Sequence, residues 1–183
     1  MKRSFAFVAV VSAAVLVLGT ATVYAKSDTG ASSPVSRTLQ VVTMPSSEVN
    51  VGTSWVGVMD VPLTGNQTYI VDANVRGGLT AVTPVCSFIS ARLVHVETGQ
   101  VIQDSERLVT EICVTDSDDD PTNNPEPVKV SNNDTVPISV EIDVRGRKTI
   151  RLEAMRKDVK VFGPIQTSAI FSHSTGLTTI RYF

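Results

Sequence analysis

The strongest constraint on the fold is that apolar and polar residues alternate through most of the chain. This two-residue period is the pattern of a β-strand with one buried face. The clearest run places apolar side chains at Val136, Ile138, Val140, Ile142 and Val144. No segment has the 3.6-residue apolar period of an amphipathic helix. The sequence therefore predicts an all-β protein.

The other strand candidates are short and are separated by turn residues. Clear candidates lie at residues 69–75, 150–154, 165–171 and 177–183, and weaker ones at 39–44, 54–61, 86–96, 101–103 and 107–114. Residues 145–148, which include a glycine, are predicted to connect a hairpin, and residues 65–66 and 97–100 are predicted to form turns. This pattern is typical of an antiparallel β-sandwich or jelly roll, here with about eight to ten strands.

The first 25 residues have the layout of a secretory signal peptide. Lys2 and Arg3 precede an apolar run at residues 5–18, and Val23 and Ala25 form a small-residue cleavage site. Cleavage after Ala25 would export the chain to the periplasm or the medium. Residues 26–36 are predicted to be a flexible leader and residues 37–183 a single domain. No other apolar segment reaches the length of a membrane span.

The chain has two cysteines, Cys86 and Cys113. In an exported protein, two cysteines predict one disulfide, because the compartment is oxidising. The alternative is a pair of buried free thiols. The predicted bond would join the strand that contains Cys86 to the strand that ends near Cys113.

An acidic segment at residues 116–120 follows directly. Asp116, Asp118 and Asp120 match the first three ligand positions of a calcium loop, and calcium prefers such oxygen ligands. The match ends at Pro121 and Pro127, which replace the turn glycine and the bidentate glutamate. The three aspartates are therefore tentative calcium ligands, with a solvated loop as the alternative, and no other cofactor is predicted.

A second charged segment has the opposite sign. It contains one acid, Glu153, and six basic residues, Arg145, Arg147, Lys148, Arg151, Arg156 and Lys157. The first four of these are the candidate binding residues. Such a basic ribbon could bind an acidic protein surface, a second copy of the chain, a polyanion or a carbohydrate. It lacks the interleaved aromatic residues of a single-strand nucleic-acid platform, and the chain as a whole has a net charge of −2. Specific nucleic-acid binding is therefore not predicted.

Catalytic motifs are absent from the sequence. His95 and His173 are the only histidines, and neither stands in a metal-protease or haem-attachment spacing. A non-enzymatic protein is therefore predicted, with a hydrolase that uses His95 or His173 as an alternative. Asn66 and Asn133 begin N-glycosylation motifs, and the sequence leaves open whether either is modified.

The signal peptide, the strand at residues 69–75, the central cysteine pair and the closing strand at 177–182 together resemble small exported bacterial β-sandwich proteins of uncharacterised function. The resemblance implies a fold and a location, and it transfers no site residue. We expect a binding or structural module for protein-protein interaction or assembly at the cell envelope. The alternative binding function is a calcium-dependent carbohydrate domain.

Overall fold

A computed structural model of the protein describes residues 38–114, 127–161, 163–173 and 176–183. This part of the chain forms eight strands: β1 (Gln40–Thr43), β2 (Glu48–Asn50), β3 (Val56–Val82), β4 (Val85–His95), β5 (Arg107–Val114), β6 (Lys129–Val161), β7 (Ile165–Phe171) and β8 (Thr179–Tyr182). No helix able to cross a membrane occurs among these residues. The predicted signal peptide, the leader and the acidic segment at 116–120 lie outside them.

Hydrogen bonds join the strands into one antiparallel sheet. Two unusually long strands, β3 and β6, make this possible, because each pairs with several other strands along its length. The strand order is β1-β8-β3-β6-β4-β5, and β7 also pairs with β3 and carries β2 on its other side. The β3–β6 ladder runs from the pair Val56 and Ala154 to the pair Val82 and Lys129. One arm of this ribbon pairs with β4, and the other pairs with β7 and β8.

The long ribbon bends where two glycines face each other. Gly65 and Gly146 are directly paired, with φ angles of 111° and 85°. Positive φ angles favour glycine, because a Cβ atom disfavours this backbone conformation. The predicted hairpin at residues 145–148 and the predicted turn at 65–66 are therefore wrong. Each glycine bends a strand that continues on both sides of it. The paired strands are β3 and β6, which are distant in the sequence, so neither glycine connects a hairpin.

The same face of the ribbon is buried on both sides of the bend. In β6, the even-numbered apolar residues from Ile138 to Val144 and from Ile150 to Ala154 are buried. Gly77 of β3 and Val109 of β5 also lie so close together that a Cβ atom at Gly77 would be 2.7 Å from Val109 Cγ1. Because β6 and β4 separate these two strands in the ladder, this contact shows that parts of the sheet face each other. One hydrophobic core includes residues from both arms.

The predicted all-β antiparallel class and the disulfide are confirmed. Cys86 and Cys113 are directly paired on β4 and β5 and form the bond. The described strands form one continuous hydrogen-bonded sheet, and its two arms share one core. Most strands were predicted, but β2 was missed, and the predicted strand at 101–103 is wrong because only Val101 forms an isolated bridge there. The sequence prediction also missed that β3 and β6 each continue through a glycine.

The β3–β6 ribbon folds at its bend, and two regions of the folded ribbon are named here. The bend end is the region around Gly65 and Gly146. The corner end is the region where Thr83 and Pro84 connect β3 to β4, and where the backbone N–H of Thr83 donates to the carbonyl of Val128 at 2.9 Å.

Candidate functional site at the bend end

The bend places two of the predicted basic residues on an exposed surface. Arg145 and Arg147 flank Gly146 and are paired with Asn66 and Thr64 of β3. Both arginines are exposed, and neither forms an ion pair with a carboxylate in the described part of the chain. We call Arg145, Arg147 and Lys148 the basic end.

Asn66 contributes to this surface, and sequence analysis missed that role. Its Oδ1 accepts a hydrogen bond from the backbone N–H of Gly146 at 3.1 Å, although the two residues are 80 positions apart. This bond orients the Asn66 amide beside Arg145 and ties the two strands together at the bend. Such a long separation gives no local signal in the sequence.

Lys148 is partly occupied by an internal contact. Its Nζ donates a hydrogen bond to the backbone carbonyl of Asp143 at 3.2 Å, and its side chain is half-buried. It therefore adds positive charge to the basic end but has less freedom to reach a partner than the two arginines.

The structure separates Arg151 from the other three predicted residues. Its guanidinium forms a two-point ion pair with Asp60, with distances of 2.7 Å from Nε to Oδ1 and 2.8 Å from Nη2 to Oδ2. This hydrogen bonding lowers the pKa of the Asp60 carboxyl group. A paired guanidinium has less capacity for another anion. Farther along β6, Arg156 is paired in the same way with Asp158.

Two carboxylates also lie at the bend end, and both have internal partners. Asp143 Oδ1 accepts a hydrogen bond from the Thr68 hydroxyl at 2.5 Å. Glu97 Oε1 accepts one from the backbone N–H of Thr149 at 2.6 Å. Of the three residues of the basic end, Arg145 is the one that lines the surface depression described next. It also lacks an ion-pair partner among the described residues.

An open depression of about 330 Å³ lies beside the basic end. It is lined by Asn66, Gln67, Thr68, Asp143, Val144 and Arg145. These side chains offer hydrogen-bond donors and acceptors together with one guanidinium. The depression can therefore accept polar groups of a partner next to the exposed arginines.

His95, one of the two predicted catalytic candidates, lies near the same end, and among the described residues its Nδ1 atom has no hydrogen-bond partner. His95 is the last residue of β4 and is paired with Ile150. Its Nδ1 atom is buried. Burial lowers the pKa of His95, the nearby positive charge of Lys148 lowers it further, and Glu97 has the opposite effect. The folded protein therefore favours the neutral imidazole.

This lowered pKa predicts that acid destabilises the protein through His95. An unfolded histidine has a pKa of about 6.5, so below that pH the unfolded state binds more protons than the folded state. The stabilising contribution is complete above the unfolded pKa and is lost as the pH falls toward the lower folded pKa. Urea unfolding of His95→Gln should therefore show a weaker loss of stability between about pH 7 and pH 5 than the unmodified protein shows.

The control for this prediction is His173→Gln, which keeps His95. It should retain the pH dependence of the unmodified protein. An equal slope in the two histidine variants and the unmodified protein would contradict the assignment to His95.

His173, the other predicted catalytic candidate, has its described contacts at a different place. His173 is bridged to Gly176 through the backbone, and its ring lies 5.7 Å from that of Phe171. The tentative calcium ligands Asp116, Asp118 and Asp120 lie outside the described residues. Within the described ranges, no group of three or more histidine, cysteine, aspartate or glutamate residues could hold a metal ion.

Comparison of the sequence with models of known protein families found no match, and a search of curated proteins found none either.

Proposed function

We propose that the protein is an exported, non-enzymatic interaction module that assembles with further copies of itself at the cell envelope. In this proposal, the basic end of one copy binds the acidic segment at residues 116–120 of the next. The observation that carries it is the position of the exposed, unpaired Arg145 and Arg147 relative to the residues that anchor the acidic segment.

These anchoring residues lie at the corner end. Val114 precedes the acidic segment and is paired with Val85, directly after the Thr83–Pro84 connection. On the other side of the segment, Val128 is hydrogen-bonded to Thr83. The basic residues therefore lie at the bend end, whereas the acidic segment is attached at the corner end.

The separation of the two ends favours contact between molecules over contact within one molecule. From Arg147 to Val161, β6 has a contour of roughly 45 Å at about 3.3 Å per residue. A segment spanning residues 115–126 and anchored at both ends can extend outward by roughly 20 Å. These lengths favour contact of the basic end with the acidic segment of a neighbouring copy over contact with the acidic segment of the same chain.

Head-to-tail pairing of this kind is heterologous, and it builds chains when the rotation does not close a ring. Since the contact joins exposed opposite charges, salt should weaken it. Individual exposed ion pairs contribute about 0.2–1 kcal/mol, so we expect weak association that depends on several pairs.

The test is sedimentation velocity at low and high salt. The protein should associate at low salt and dissociate at high salt. Arg145→Ser together with Arg147→Ser should weaken low-salt association by about tenfold, from the loss of two or more surface ion pairs. A monomer at both salt concentrations would contradict the proposal.

The matched control changes two exposed arginines elsewhere. Arg107→Ser together with Arg181→Ser removes the same net charge from β5 and β8 and leaves the basic end intact. If this control weakened association as much as the change at the basic end, net charge would be the cause and the proposed contact would be wrong.

A further inference from the structure

The corner end exposes valines that belong to the inner face of the sheet. Val114 and Val161 are both paired with Val85, which is fully buried. Directly paired residues in an antiparallel ladder place their side chains on the same face. Val114 and Val161 therefore point to the core side, yet they are 42% and 39% exposed.

Val128 directly precedes β6 and extends the same inner row. The adjacent inner residue Val130 packs against the core, whereas Val128 is 57% exposed. Its position is set by two hydrogen bonds with Thr83, one from the Thr83 backbone N–H and one to the Thr83 hydroxyl. We call Val114, Val128 and Val161 the valine end. These three side chains lie on the core face of the sheet, but the described residues leave them partly exposed.

The chemistry of the adjoining segment bears on what could cover these valines. Residues 115–126, which connect Val114 to Pro127, consist of Asp, Ser, Thr, Asn, Pro and Glu. Such a composition offers little apolar surface, so it is a poor hydrophobic cover for three β-branched side chains. It does bring acidic residues, at positions 116, 118–120 and 126, into the chain between Val114 and Val128. A suitable occupant would therefore be apolar in the middle and basic at its edge.

The bend end of the same protein has this chemistry. Val96 and Val101 are 37% and 38% exposed. The backbone N–H of Val96 donates to the carbonyl of Thr149 at 2.9 Å, so this valine lies opposite the residue that follows Lys148 on β6. Exposed apolar residues and basic residues thus occur together at the end opposite the valine end.

We propose that the valine end is the apolar half of the head-to-tail interface and takes Val96 and Val101 of a second copy. This inference rests on the proposed function, since it uses the same pairing of opposite ends. Burial of valines adds a contribution that salt does not screen, because the hydrophobic effect does not depend on charge. The interface then has an apolar centre with charged residues around it, as specific protein interfaces commonly do.

The test uses Val128→Thr together with Val161→Thr, which keeps the side-chain shape and replaces a methyl group by a hydroxyl. Association at low salt should weaken by about tenfold, from the lost apolar burial. Val96→Thr with Val101→Thr, on the other side of the interface, should produce a similar loss. The control Val41→Thr with Leu177→Ser changes apolar residues that are also exposed and should leave association unchanged.

A mixing experiment tests the direction of the contact. The Val128→Thr/Val161→Thr protein keeps its basic end, and the Arg145→Ser/Arg147→Ser protein keeps its valine end. Each should be largely monomeric alone, and their mixture should form dimers and no larger species, since each dimer has only impaired ends exposed.

The outcomes separate this inference from the proposed function. If the unmodified protein is monomeric at low salt, the proposed function is wrong and this inference falls with it. If the unmodified protein associates and both valine variants associate equally well, only the inference about the valine end is wrong. A mixture that forms no dimers would contradict the head-to-tail arrangement.

Discussion

Removing the Cys86–Cys113 disulfide should lower the free energy of unfolding by about 3.5 kcal/mol. The bond closes a loop between cysteines separated by 27 positions, and a loop of this size restricts the unfolded chain by about that amount. For a domain of this size, such a loss corresponds to a fall in melting temperature of roughly 10 °C. The measurement is thermal and urea unfolding of the protein with and without a reducing agent, and of Cys86→Ala/Cys113→Ala.

The native fold should survive reduction, because β4 and β5 are also held by their ladder and by the core beneath them. Reduced protein should therefore retain its far-ultraviolet circular dichroism below the lowered melting temperature. The reducing agent should have no effect on the Cys86→Ala/Cys113→Ala variant, which controls for effects on the protein other than bond cleavage. An unchanged melting temperature after complete reduction would show that the bond does not stabilise the fold.

The fold class could be predicted because alternation is a local signal. Each strand has apolar residues at every second position, and this pattern remains visible however the strands pair. The disulfide was predictable for a related reason, since only one pairing is possible for two cysteines.

The continuity of the long strands was missed because turn residues are also local signals. A glycine among polar residues at 145–148 indicates a hairpin when it is considered alone. The sequence nevertheless contains evidence against a hairpin. The apolar residues of β6 keep even numbers on both sides of Gly146, as in Val144 and Ile150, which is expected for one strand that continues through the glycine.

The composition of the candidate site could be predicted only in part, because sequence patterns are local and the contacts at the site join distant residues. Local sequence identified a basic ribbon, but the contact that removes Arg151 from it comes from Asp60, 91 positions away. The valine end was not predicted either. Val114 and Val128 have the period of core residues, but Val161 is odd-numbered and joins their face through the register shift opposite Cys86 and Ser87. Only the three-dimensional arrangement shows that, among the described residues, the core side is open there.

The glycine pair at the bend should be the most sensitive backbone position of the ribbon. A Cβ atom added at Gly65 or Gly146 would meet no other atom within 4 Å, so the cost of substitution there is conformational and not steric. A side chain at φ angles of 111° and 85° should cost about 1–3 kcal/mol at each position. The double substitution to alanine should cost more than either single one. Because the two residues are paired, the effects need not add.

Three variants measured by urea unfolding would isolate this effect. Gly52→Ala is the matched control, since a Cβ atom there also meets nothing within 4 Å and its φ angle lies outside the positive range; it should be nearly neutral. Gly146→Asn should be less destabilising than Gly146→Ala, because asparagine tolerates positive φ better than alanine. Equal stability of Gly146→Ala, Gly52→Ala and the unmodified protein would show that the bend does not require glycine.

The same variants connect the bend to assembly. Gly146 separates Arg145 from Arg147, and its N–H orients Asn66. A shift of the backbone at this point would therefore move both arginines relative to a partner. At a temperature where the Gly146→Ala protein remains folded, its low-salt association should be weaker than that of a core variant of equal stability, such as Ile150→Val. If the two proteins associated equally well, the bend would support only the fold, and the basic end would not depend on its geometry.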